Sequence, residues 1–535
     1  MRALLLIAAS AALSGCSSRD ATCQPKDGAV TIAISSLPNT LDWNESHESS
    51  FQNYPALLAM MQGLTTLASD GSVQPGLAAS WDVRVEGGKQ VYVFHLRPDV
   101  VWSDGSTKVT AGDFAFGWRR ALLGHEPADL LDLDGAREVV AARSKGAATE
   151  ELLAKVGVKA LDDATLEVTL TSPRTYFLSR LATVYTFFPA PTVALHGKDA
   201  RAIKRYFDEP DGTHPLVTGE YVPQKWDRVG QKIELTRNPH FRGEVHPRAV
   251  QKLTLLQAAL APVLYAQCRV DFLFQDDPSA VLQGSADIAR SPLMSIYWLG
   301  FNTTKVPLPL RRAIAQSIDR EKLFEGLLPH ARLAHSFLPE PMPGATTERL
   351  APAFDLEAAR KAIVEAGDPG ELTLLVRTGT FIPELGIADA VRRQLEAVGL
   401  KVRIVTTSNF TNDIKSKDGV LRHHLFLRRT GSDYAHPQTL LTPLQASGNN
   451  YTDWQKLEGG AAQARFQALL DEGAGQTDVG QMRETFARAQ RVFLDEQVVL
   501  VPLYFPDRYF LKRPWLEGLG VDAFNFLTYR GAHFQ

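Results

Sequence analysis

Alternating apolar and polar positions mark the predicted strands, and they begin close to the amino terminus. Residues 30–34 (VTIAI) alternate in this way after a polar stretch, so we predict that a folded lobe starts near Ala29. Residues 90–96 and 166–170 show the same two-residue period and flank a helix that opens at Thr110. This order of strands and helix predicts an α+β block.

The helix that opens at Thr110 has a recognisable start and one apolar face. Thr110 and Asp113 have the spacing of a capping box, with Asp in place of the usual Glu. Phe114, Trp118 and Leu122 recur every four residues, which places them on one side of the helix. We expect this side to face the core.

The second half of the chain has a clearer strand-helix-strand pattern. Residues 372–376 and 401–405 are strand-like, and a helical pattern covers residues 384–398 until Gly399 ends it. Two strands joined by a helix imply a parallel pair. The apolar positions in register along this helix are Ile387, Val391 and Leu395.

Two further helices complete the predicted α/β lobe of the second half. Residues 356–366 form a helix that Asp355 caps and Gly367 follows, and another helix covers residues 481–496. Its inward-facing residues are Met482, Phe486, Ala489 and Phe493. Two lobes joined by crossing strands would form a cleft, where small ligands commonly bind.

The amino terminus has the pattern of an export signal. A positive charge precedes an apolar run over residues 3–13, which is too short to span a bilayer as a mature helix. The run ends in Leu-Ser-Gly-Cys16, which resembles the lipobox of bacterial lipoproteins. We predict a signal peptide over residues 1–15 and a lipidated tether over residues 16–28, with Cys16 acylated; an ordinary signal peptide with an incidental cysteine is the alternative.

Composition and charge restrict the class of protein. A chain of 535 residues is long for one core, which predicts two or three lobes. A hydrophobic fraction of 44% without a later apolar run of bilayer length favours a globular body over a permease. The net charge is −3 and no long basic stripe is present, so we expect no nucleic-acid partner.

Two cysteines remain if Cys16 carries lipid. Cys23 and Cys268 are free to pair in an oxidising compartment outside the cytoplasm. Two buried free thiols are the alternative, and the spacing does not decide between them.

The sequence lacks the usual motifs of catalysis. It has no His-Glu-x-x-His, no Gly-x-Ser-x-Gly, no phosphate-binding glycine loop that ends in Gly-Lys, and no Cys-x-x-Cys. We therefore predict that the protein is not an enzyme and uses no metal or cofactor.

A series of short phrases, spread over nearly the whole mature chain, resembles the extracellular solute-binding proteins of family 5, the oligopeptide and dipeptide receptors of ABC importers. WSDG at residues 102–105, followed by VTAGDF at 109–114, is close to a family signature. The other phrases are LD at 41–42, GL at 63–64, PGLAASW at 75–81, YVFHLR at 92–97, TGEY at 218–221, RNPHF at 237–241, FN at 301–302, LRRAIAQSIDR at 310–320, AIVEAG at 362–367 and VPLY at 501–504.

The resemblance implies an α/β fold of the type II periplasmic-binding-protein kind, with two hinged lobes and an additional small α+β domain. Ligand lies between lobes I and III, and the lobes close around it. The implied bounds are 29–66, 187–295 and 505–535 for lobe I, 67–186 for domain II, and 296–504 for lobe III.

One segment carries the main implied ligand contact. Where family members have a tryptophan, Ala-Asp-Tyr and Asp-Pro, this chain has TGSDYAHP at residues 430–437. Asp433, followed by Tyr434, falls on the aspartate that binds the amino end of the peptide; a solvated turn aspartate is the alternative. Thr430 replaces the aromatic residue and His436 replaces an acid, so we expect a reshaped pocket.

Other candidates surround this segment. Arg428 and Arg429 lie just upstream, and we expect one of them to bind a ligand carboxylate. The alternative is that both side chains are exposed to solvent. The remaining candidates are Ser49, Ser50 and Phe51 in the loop of residues 45–51, Asn449, Asn450 and Tyr451 after Gly448, and Arg377 at the end of a strand.

These observations predict a monomeric substrate-binding lipoprotein in the periplasm. It would be anchored to a membrane only through lipid and would deliver oligopeptides or dipeptides to the permease subunits of an ABC importer. The alternatives are a receptor of the same fold for an oligosaccharide or a nickel chelate, and an envelope or signalling lipoprotein without a role in transport.

Overall fold

A computed structural model describes most of the chain, namely residues 23–44, 50–68, 72–124, 127–275, 287–325, 327–328, 331–340, 342–378, 383–445, 451–529 and 531–535. The strands, numbered in chain order, are β1 Ala29–Ile34, β2 Thr65–Leu67, β3 Val73–Pro75, β4 Ala78–Glu86, β5 Lys89–Leu96, β6 Val158–Ala160, β7 Thr165–Leu170, β8 Tyr221–Asp227, β9 Lys232–Arg237, β10 Lys252–Gln257, β11 Phe272–Gln275, β12 Ile288–Pro292, β13 Ser295–Phe301, β14 Arg332–Leu333, β15 Glu371–Arg377, β16 Lys401–Thr407, β17 Leu425–Gly431, β18 Leu500–Phe505, β19 Asp507–Lys512, β20 Leu516–Glu517, β21 Gly520–Val521, β22 Leu527–Thr528 and β23 His533–Phe534.

The helices are distributed along the whole described chain. They are α1 Ser50–Met60, α2 Ala111–Leu122, α3 Ala136–Arg143, α4 Glu150–Ala154, α5 Phe177–Thr183, α6 Thr192–Leu195, α7 Ala200–Asp208, α8 Ala261–Ala266, α9 Leu308–Ser317, α10 Arg320–Phe324, α11 Leu356–Ala366, α12 Glu384–Glu396, α13 Phe410–Ile414, α14 Pro437–Leu441, α15 Ala461–Ala474 and α16 Val479–Arg491. The 3₁₀ segments are Pro127–Leu130, Tyr185–Phe187, Thr442–Leu444 and Trp454–Gly460, and a π-helical turn, Val492–Glu496, follows α16. No helix in the described ranges is both long and apolar enough to cross a membrane.

Three large sheets organise the molecule. The seven-stranded sheet has the order β12-β19-β11-β1-β10-β9-β8 and takes strands from both ends and the middle of the chain. The four-stranded sheet has the order β4-β5-β7-β6 and is entirely antiparallel. The six-stranded sheet has the order β14-β18-β13-β17-β15-β16 and contains the parallel pairs β15/β16 and β15/β17.

The predicted elements are present near their predicted bounds. Thr110 caps α2, and the capping box with Asp113 is formed. Asp355 caps α11, and the strands on both sides of α12 pair in parallel as predicted. The last predicted helix differs, because it starts at Val479 and its final turn, Val492–Glu496, is π-helical.

Two large clusters of buried side chains lie on opposite faces of the six-stranded sheet. One cluster, which includes Leu299 and Leu427, packs against α9 and α12. The other includes Trp298 and Phe426 and continues without a break through the four-stranded sheet to the seven-stranded sheet. Apolar burial of this extent is the main stabilising contribution to the fold.

Candidate functional site

Asp433 and the three predicted arginines, Arg377, Arg428 and Arg429, lie near one edge of the six-stranded sheet. The strands β15, β16 and β17 run parallel, and β18 runs in the same direction because both β17 and β18 are antiparallel to β13. Their carboxyl ends therefore share one edge. In open α/β sheets this edge is where ligands bind.

Asp433 follows the end of β17 at this edge and is partly buried. Its backbone N–H donates to the Thr439 Oγ1 at 3.1 Å. Among the residues that the structure describes, its carboxylate accepts no hydrogen bond and has no cationic nitrogen within ion-pair distance. Burial and the nearby Asp129 together raise the pKa of Asp433 to about 7, although Arg180 and Arg429 oppose this rise.

Arg429 lies in β17 on the face that holds Tyr297 and Tyr504. Its Nη1 donates to the Ser295 Oγ at 3.1 Å. Burial, together with the nearby Arg377, lowers the pKa of Arg429 to about 10. Tyr504, Asp433 and Glu384 act in the opposite direction. The guanidinium is thus electrostatically coupled to the Asp433 carboxylate four residues later.

Arg428 points to the other face of the sheet and is held by aromatic rings. Its guanidinium carbon lies 4.6 Å from the ring centre of Tyr451 and 5.6 Å from that of Phe410. Burial lowers the pKa of Arg428, Tyr451 raises it, and Arg377 lowers it. Tyr451 itself is buried and contacts Phe410 edge to face. Its ring is therefore fixed in position for the cation–π contact with Arg428.

Arg377 is the last residue of β15 and is exposed at the same edge. Its backbone N–H donates to the carboxylate of the buried Glu384 at 3.1 Å. Its charge lowers the pKa of both Arg428 and Arg429, which shows that the three cations lie near one another. The edge therefore brings three arginines together with the carboxylates of Asp433 and Glu384.

Tyr434 connects this edge to α5 in the region of the four-stranded sheet. Its ring stacks on Tyr176 with 5.3 Å between ring centres, and the guanidinium carbon of Arg180 lies 5.6 Å from its centre. Tyr434 is buried, and burial raises its pKa. Tyr176 and Arg180 thus form a wall against the segment that carries Asp433.

Arg180 is held in place by acidic partners of its own. Its Nη1 donates to the Asp132 Oδ2 at 2.9 Å, and its Nη2 donates to the Asp129 Oδ1 at 3.0 Å. Burial lowers the pKa of Arg180, but Tyr434, Asp129 and Asp132 outweigh this, so the pKa lies above its ordinary value. Arg180 remains a fixed positive charge.

The two departures from the family phrase have partners within the protein. The Thr430 Oγ1 accepts a hydrogen bond from the Trp298 indole at 3.0 Å. His436 caps α14 by accepting from the Gln438 N–H, and its Nε2 lies 3.4 Å from the Thr175 Oγ1. Burial lowers the pKa of His436 to about 3, so the ring is neutral where it contacts the loop before α5.

Several candidates cannot be placed. Ser49, Asn449, Asn450 and Cys16 lie outside the described residues, and Ser50 and Phe51 are the first two residues of α1, without described side chains. Cys23 and Cys268 form a disulfide across 245 positions of sequence. Among the described residues, no group of three or more His, Cys, Asp or Glu side chains is placed to hold a metal ion.

Three residues of the site escape sequence reasoning, namely Asp129, Tyr176 and Arg180. They lie roughly 250 to 300 positions before Asp433 in the sequence, and the packing of Tyr176 and Arg180 on Tyr434 brings them there. A signal for Arg180 was present, since it occupies the apolar face of a short helix, three residues after Phe177. A cation on such a face indicates a buried ion pair.

Known proteins resemble this chain over most of its length. The family described as "Bacterial extracellular solute-binding proteins, family 5 Middle" matches residues 72–452. The probable deoxycholate-binding periplasmic protein YgiS of Escherichia coli (strain K12) is 26% identical over 508 residues, which cover 90% of this chain and 88% of that protein. The periplasmic oligopeptide-binding protein OppA of the same organism is 26% identical over 491 residues, which cover 86% and 84% of the two chains.

The solved structures confirm the predicted fold. The crystal structure of a periplasmic oligopeptide-binding protein, OppAIV from Borrelia burgdorferi, superimposes with a TM-score of 0.75 at 22% identity. The match covers 95% of this chain and 100% of that one. The chain thus has the two-lobed α/β fold that the sequence predicts.

Proposed function

Because the chain belongs to the bacterial extracellular solute-binding proteins of family 5, we propose that it is the substrate-binding component of an ABC importer and captures peptides by their free amino end. The family consists of substrate-binding proteins, and the periplasmic relatives include the oligopeptide-binding protein OppA. On this proposal the protein releases its peptide unchanged and is not an enzyme.

The unpaired carboxylate of Asp433 is the observation that carries this proposal. It follows the carboxyl end of β17 in the six-stranded sheet, is desolvated, and has no ion-pair partner among the described residues. A peptide ammonium supplies the missing charge and donates hydrogen bonds to both carboxylate oxygens. A ligand that lacks the ammonium group should bind more weakly, because the desolvated Asp433 carboxylate is then left without a compensating charge.

The arginines at the same edge suit the opposite end of a short peptide. Arg429 is coupled electrostatically to Asp433, and Arg377 and Arg428 add further positive charge nearby. A carboxylate at the end of the peptide or on its side chain offers the planar, bidentate partner that guanidinium groups prefer. Ammonium and carboxylate together would fix the orientation of the peptide in the cleft.

We further propose that the chain is divided as the family implies, with lobe I at 29–66, 187–295 and 505–535, domain II at 67–186, and lobe III at 296–504. The four-stranded sheet falls within domain II. The chain passes between the other two sheets twice, and the Leu293 N–H donates to the Pro506 carbonyl at 3.1 Å where the two passages meet. Two adjacent crossings suit a hinge between lobes.

The proposal is tested with a library of tripeptides that have free amino ends. The protein is mixed with the library, separated from free peptide and denatured, and the released peptides are identified by mass spectrometry. We expect intact tripeptides, of which the most strongly retained is then measured by calorimetry. N-acetylation of that peptide should weaken binding by roughly 30-fold or more, the equivalent of about 2 kcal/mol for a broken buried charge pair.

Variants assign the effect to Asp433. Asp433→Asn should bind the free peptide as weakly as the wild-type protein binds the acetylated one. Asp82→Asn, on the exposed strand β4, removes an aspartate far from the site and should bind normally. Recovery of shortened peptides would show an enzyme, and equal affinity for free and acetylated peptide would refute the amino-end contact.

A bile acid is the second candidate ligand, because the YgiS protein has the name of a deoxycholate-binding protein. Deoxycholate has a carboxylate but no ammonium group, so it would use Arg377, Arg428 or Arg429 and leave Asp433 unpaired. Displacement of bound tripeptide by deoxycholate, with an affinity that Asp433→Asn improves, would favour this candidate.

We also propose that Cys16 is acylated and holds the receptor at a membrane of the cell envelope. The lipobox-like residues before Cys16 support this proposal, and so do the relatives that are periplasmic proteins. In cells, Cys16→Ser should move the protein from the membrane fraction to the soluble periplasmic fraction. An unchanged distribution would refute the anchor.

A further inference from the structure

The segment that carries Asp433 packs against α5 and the residue before it, which lie in the region of the four-stranded sheet and not in that of Asp433 itself. Tyr176 and Arg180 contact the ring of Tyr434, the residue next to Asp433. The loop before α5 is also fixed to the opposite side, because the Thr175 N–H donates to the carbonyl of Ala474 at 3.0 Å. The two regions therefore meet directly at the proposed ammonium site.

We propose that Arg180 is a positioning residue of the Asp433 site, which holds the Tyr434 segment and supplies the positive charge that favours an ionised Asp433, while Asp129 acts against it. This inference rests on the proposed function, because it concerns how the ammonium site is prepared for its ligand. It assigns a role in ligand binding to domain II, which forms neither side of the cleft between lobes I and III.

The groups that face Asp433 come from three elements. Arg180 comes from α5, Asp129 from the 3₁₀ segment Pro127–Leu130, and Arg429 from β17; Tyr434 is the neighbour of Asp433 in the chain. Arg180 and Arg429 lower the pKa of Asp433, and Asp129 raises it. Arg180 and Asp129 are themselves an ion pair and act on the pKa of Asp433 in opposite directions, so the loss of either one should shift that pKa.

The geometry makes Arg180 suited to this role. It has two carboxylate partners, Asp129 and Asp132, and it packs against the rings of Tyr176, Phe187 and Tyr434. These contacts fix the guanidinium against Tyr434, the residue next to Asp433, without an ion pair to Asp433 itself. The ammonium group of a ligand can therefore form an ion pair with the Asp433 carboxylate without displacing Arg180.

The experiment measures how the affinity for the most strongly retained tripeptide depends on pH between 5 and 7.5, a range in which more than half of its amino groups keep their proton. An ionised Asp433 is required for binding, so the wild-type affinity should fall as the pH drops below about 7. Arg180→Gln should move the midpoint of this fall to higher pH, and Asp129→Asn should move it to lower pH. A shift of one pH unit corresponds to a change of about tenfold in affinity on the acidic side.

Opposite shifts distinguish this role from damage to the fold, because general destabilisation moves both variants in one direction. The double variant with Arg180→Gln and Asp129→Asn should have a midpoint between those of the two single variants. Arg180→Lys, which keeps the charge, should shift the midpoint less than Arg180→Gln. The surface variants Arg84→Gln and Asp82→Asn serve as matched controls and should leave the midpoint unchanged.

The outcomes separate the two proposals. If no tripeptide binds at any pH, or if Asp433→Asn binds normally, the proposed function fails. If peptides bind through Asp433 but neither Arg180→Gln nor Asp129→Asn moves the midpoint, or both move it in the same direction, the positioning role of Arg180 is refuted alone. Should Arg180→Gln fail to fold, the shift of Asp129→Asn to lower pH still decides the question.

Discussion

Two charged clusters meet at the candidate site, and they differ in how their charges are balanced. The paired cluster consists of Asp129, Asp132, Arg174 and Arg180, and the open cluster consists of Arg377, Arg428, Arg429 and Asp433. In the paired cluster each charge has an ion-pair partner at 2.9 to 3.2 Å. In the open cluster the arginines contact aromatic rings or hydroxyl groups, and Asp433 has no partner among the described residues.

The presence or absence of partners within the protein separates charges that stabilise the fold from charges that are suited to bind a ligand. A buried charge with a complete set of partners contributes to stability, and its removal leaves those partners uncompensated. A buried charge without partners makes the empty protein less stable, so it is retained for another reason. Substitutions in the two clusters should therefore change stability in opposite directions.

The largest effect should come from the paired cluster. Arg180→Met leaves Asp129 and Asp132 without their shared partner, and we expect the free energy of unfolding to fall by about 3–5 kcal/mol. Urea unfolding followed by circular dichroism measures the change. Arg84→Met, which removes an exposed pair on β4, is the control and should have little effect. A similarly small effect of Arg180→Met would contradict the comparison.

The open cluster should respond with the opposite sign. Asp433→Asn removes a desolvated carboxylate, so at pH 8 the unliganded variant should be more stable than the wild type by about 1–3 kcal/mol. The pKa of Asp433 is raised to about 7 in the folded state, so the folded protein holds a proton there that the unfolded chain releases.

This raised pKa sets the pH dependence of the difference. The wild-type stability contribution from Asp433 is complete below the ordinary pKa of an aspartate and is lost as the pH rises through about 7. The advantage of Asp433→Asn should therefore shrink steadily from pH 8 to pH 5. Urea midpoints of both proteins across this range test it, and a constant difference would show that Asp433 is not titrating.

A smaller effect is expected on binding when one arginine of the open cluster is removed. Arg429→Gln should weaken binding of the retained tripeptide by about tenfold, since a charge-assisted hydrogen bond to the ligand is lost. Calorimetry with the carboxyl-amidated peptide sharpens the result. Amidation should weaken binding to the wild type but not to Arg429→Gln; equal losses in both would place the carboxylate elsewhere.

The smallest effect should come from Arg428→Lys. The charge is kept, but the planar contact of the guanidinium with the Tyr451 ring is lost, and we expect the free energy of unfolding to change by less than about 1 kcal/mol. Thermal unfolding of the unliganded protein measures it. If Arg428→Lys lowered the free energy of unfolding as much as Arg180→Met does, Arg428 would belong with the paired cluster.

The local elements of the fold could be predicted because their signals are local. The strand-helix-strand unit around α12 has a clear apolar period, and Gly399 ends it with a positive φ of 94° that suits glycine. The π-helical turn Val492–Glu496 could not be predicted, because a shift of backbone hydrogen bonds leaves the apolar period almost unchanged.

The site could be predicted only in part, for a similar reason. Asp433, Arg428 and Arg429 lie within one short segment whose phrase resembles the family, so sequence reasoning reached them together. Arg180 contacts that segment only through the tertiary packing of α5 on Tyr434, and no local pattern encodes which distant surface a helix covers. The partner of Thr430, the indole of Trp298, likewise comes from the neighbouring strand β13.

The disulfide between Cys23 and Cys268 changes how a mechanical load on the amino-terminal segment enters the protein. Without it, tension would reach the fold through β1, which begins at Ala29 and lies between β10 and β11 in the interior of the seven-stranded sheet. The covalent bridge instead transfers the load to the surface beside α8, where Lys26 also donates to the Cys268 carbonyl at 2.8 Å. A pull on the proposed lipidated tether would then bypass β1, a central strand of the seven-stranded sheet.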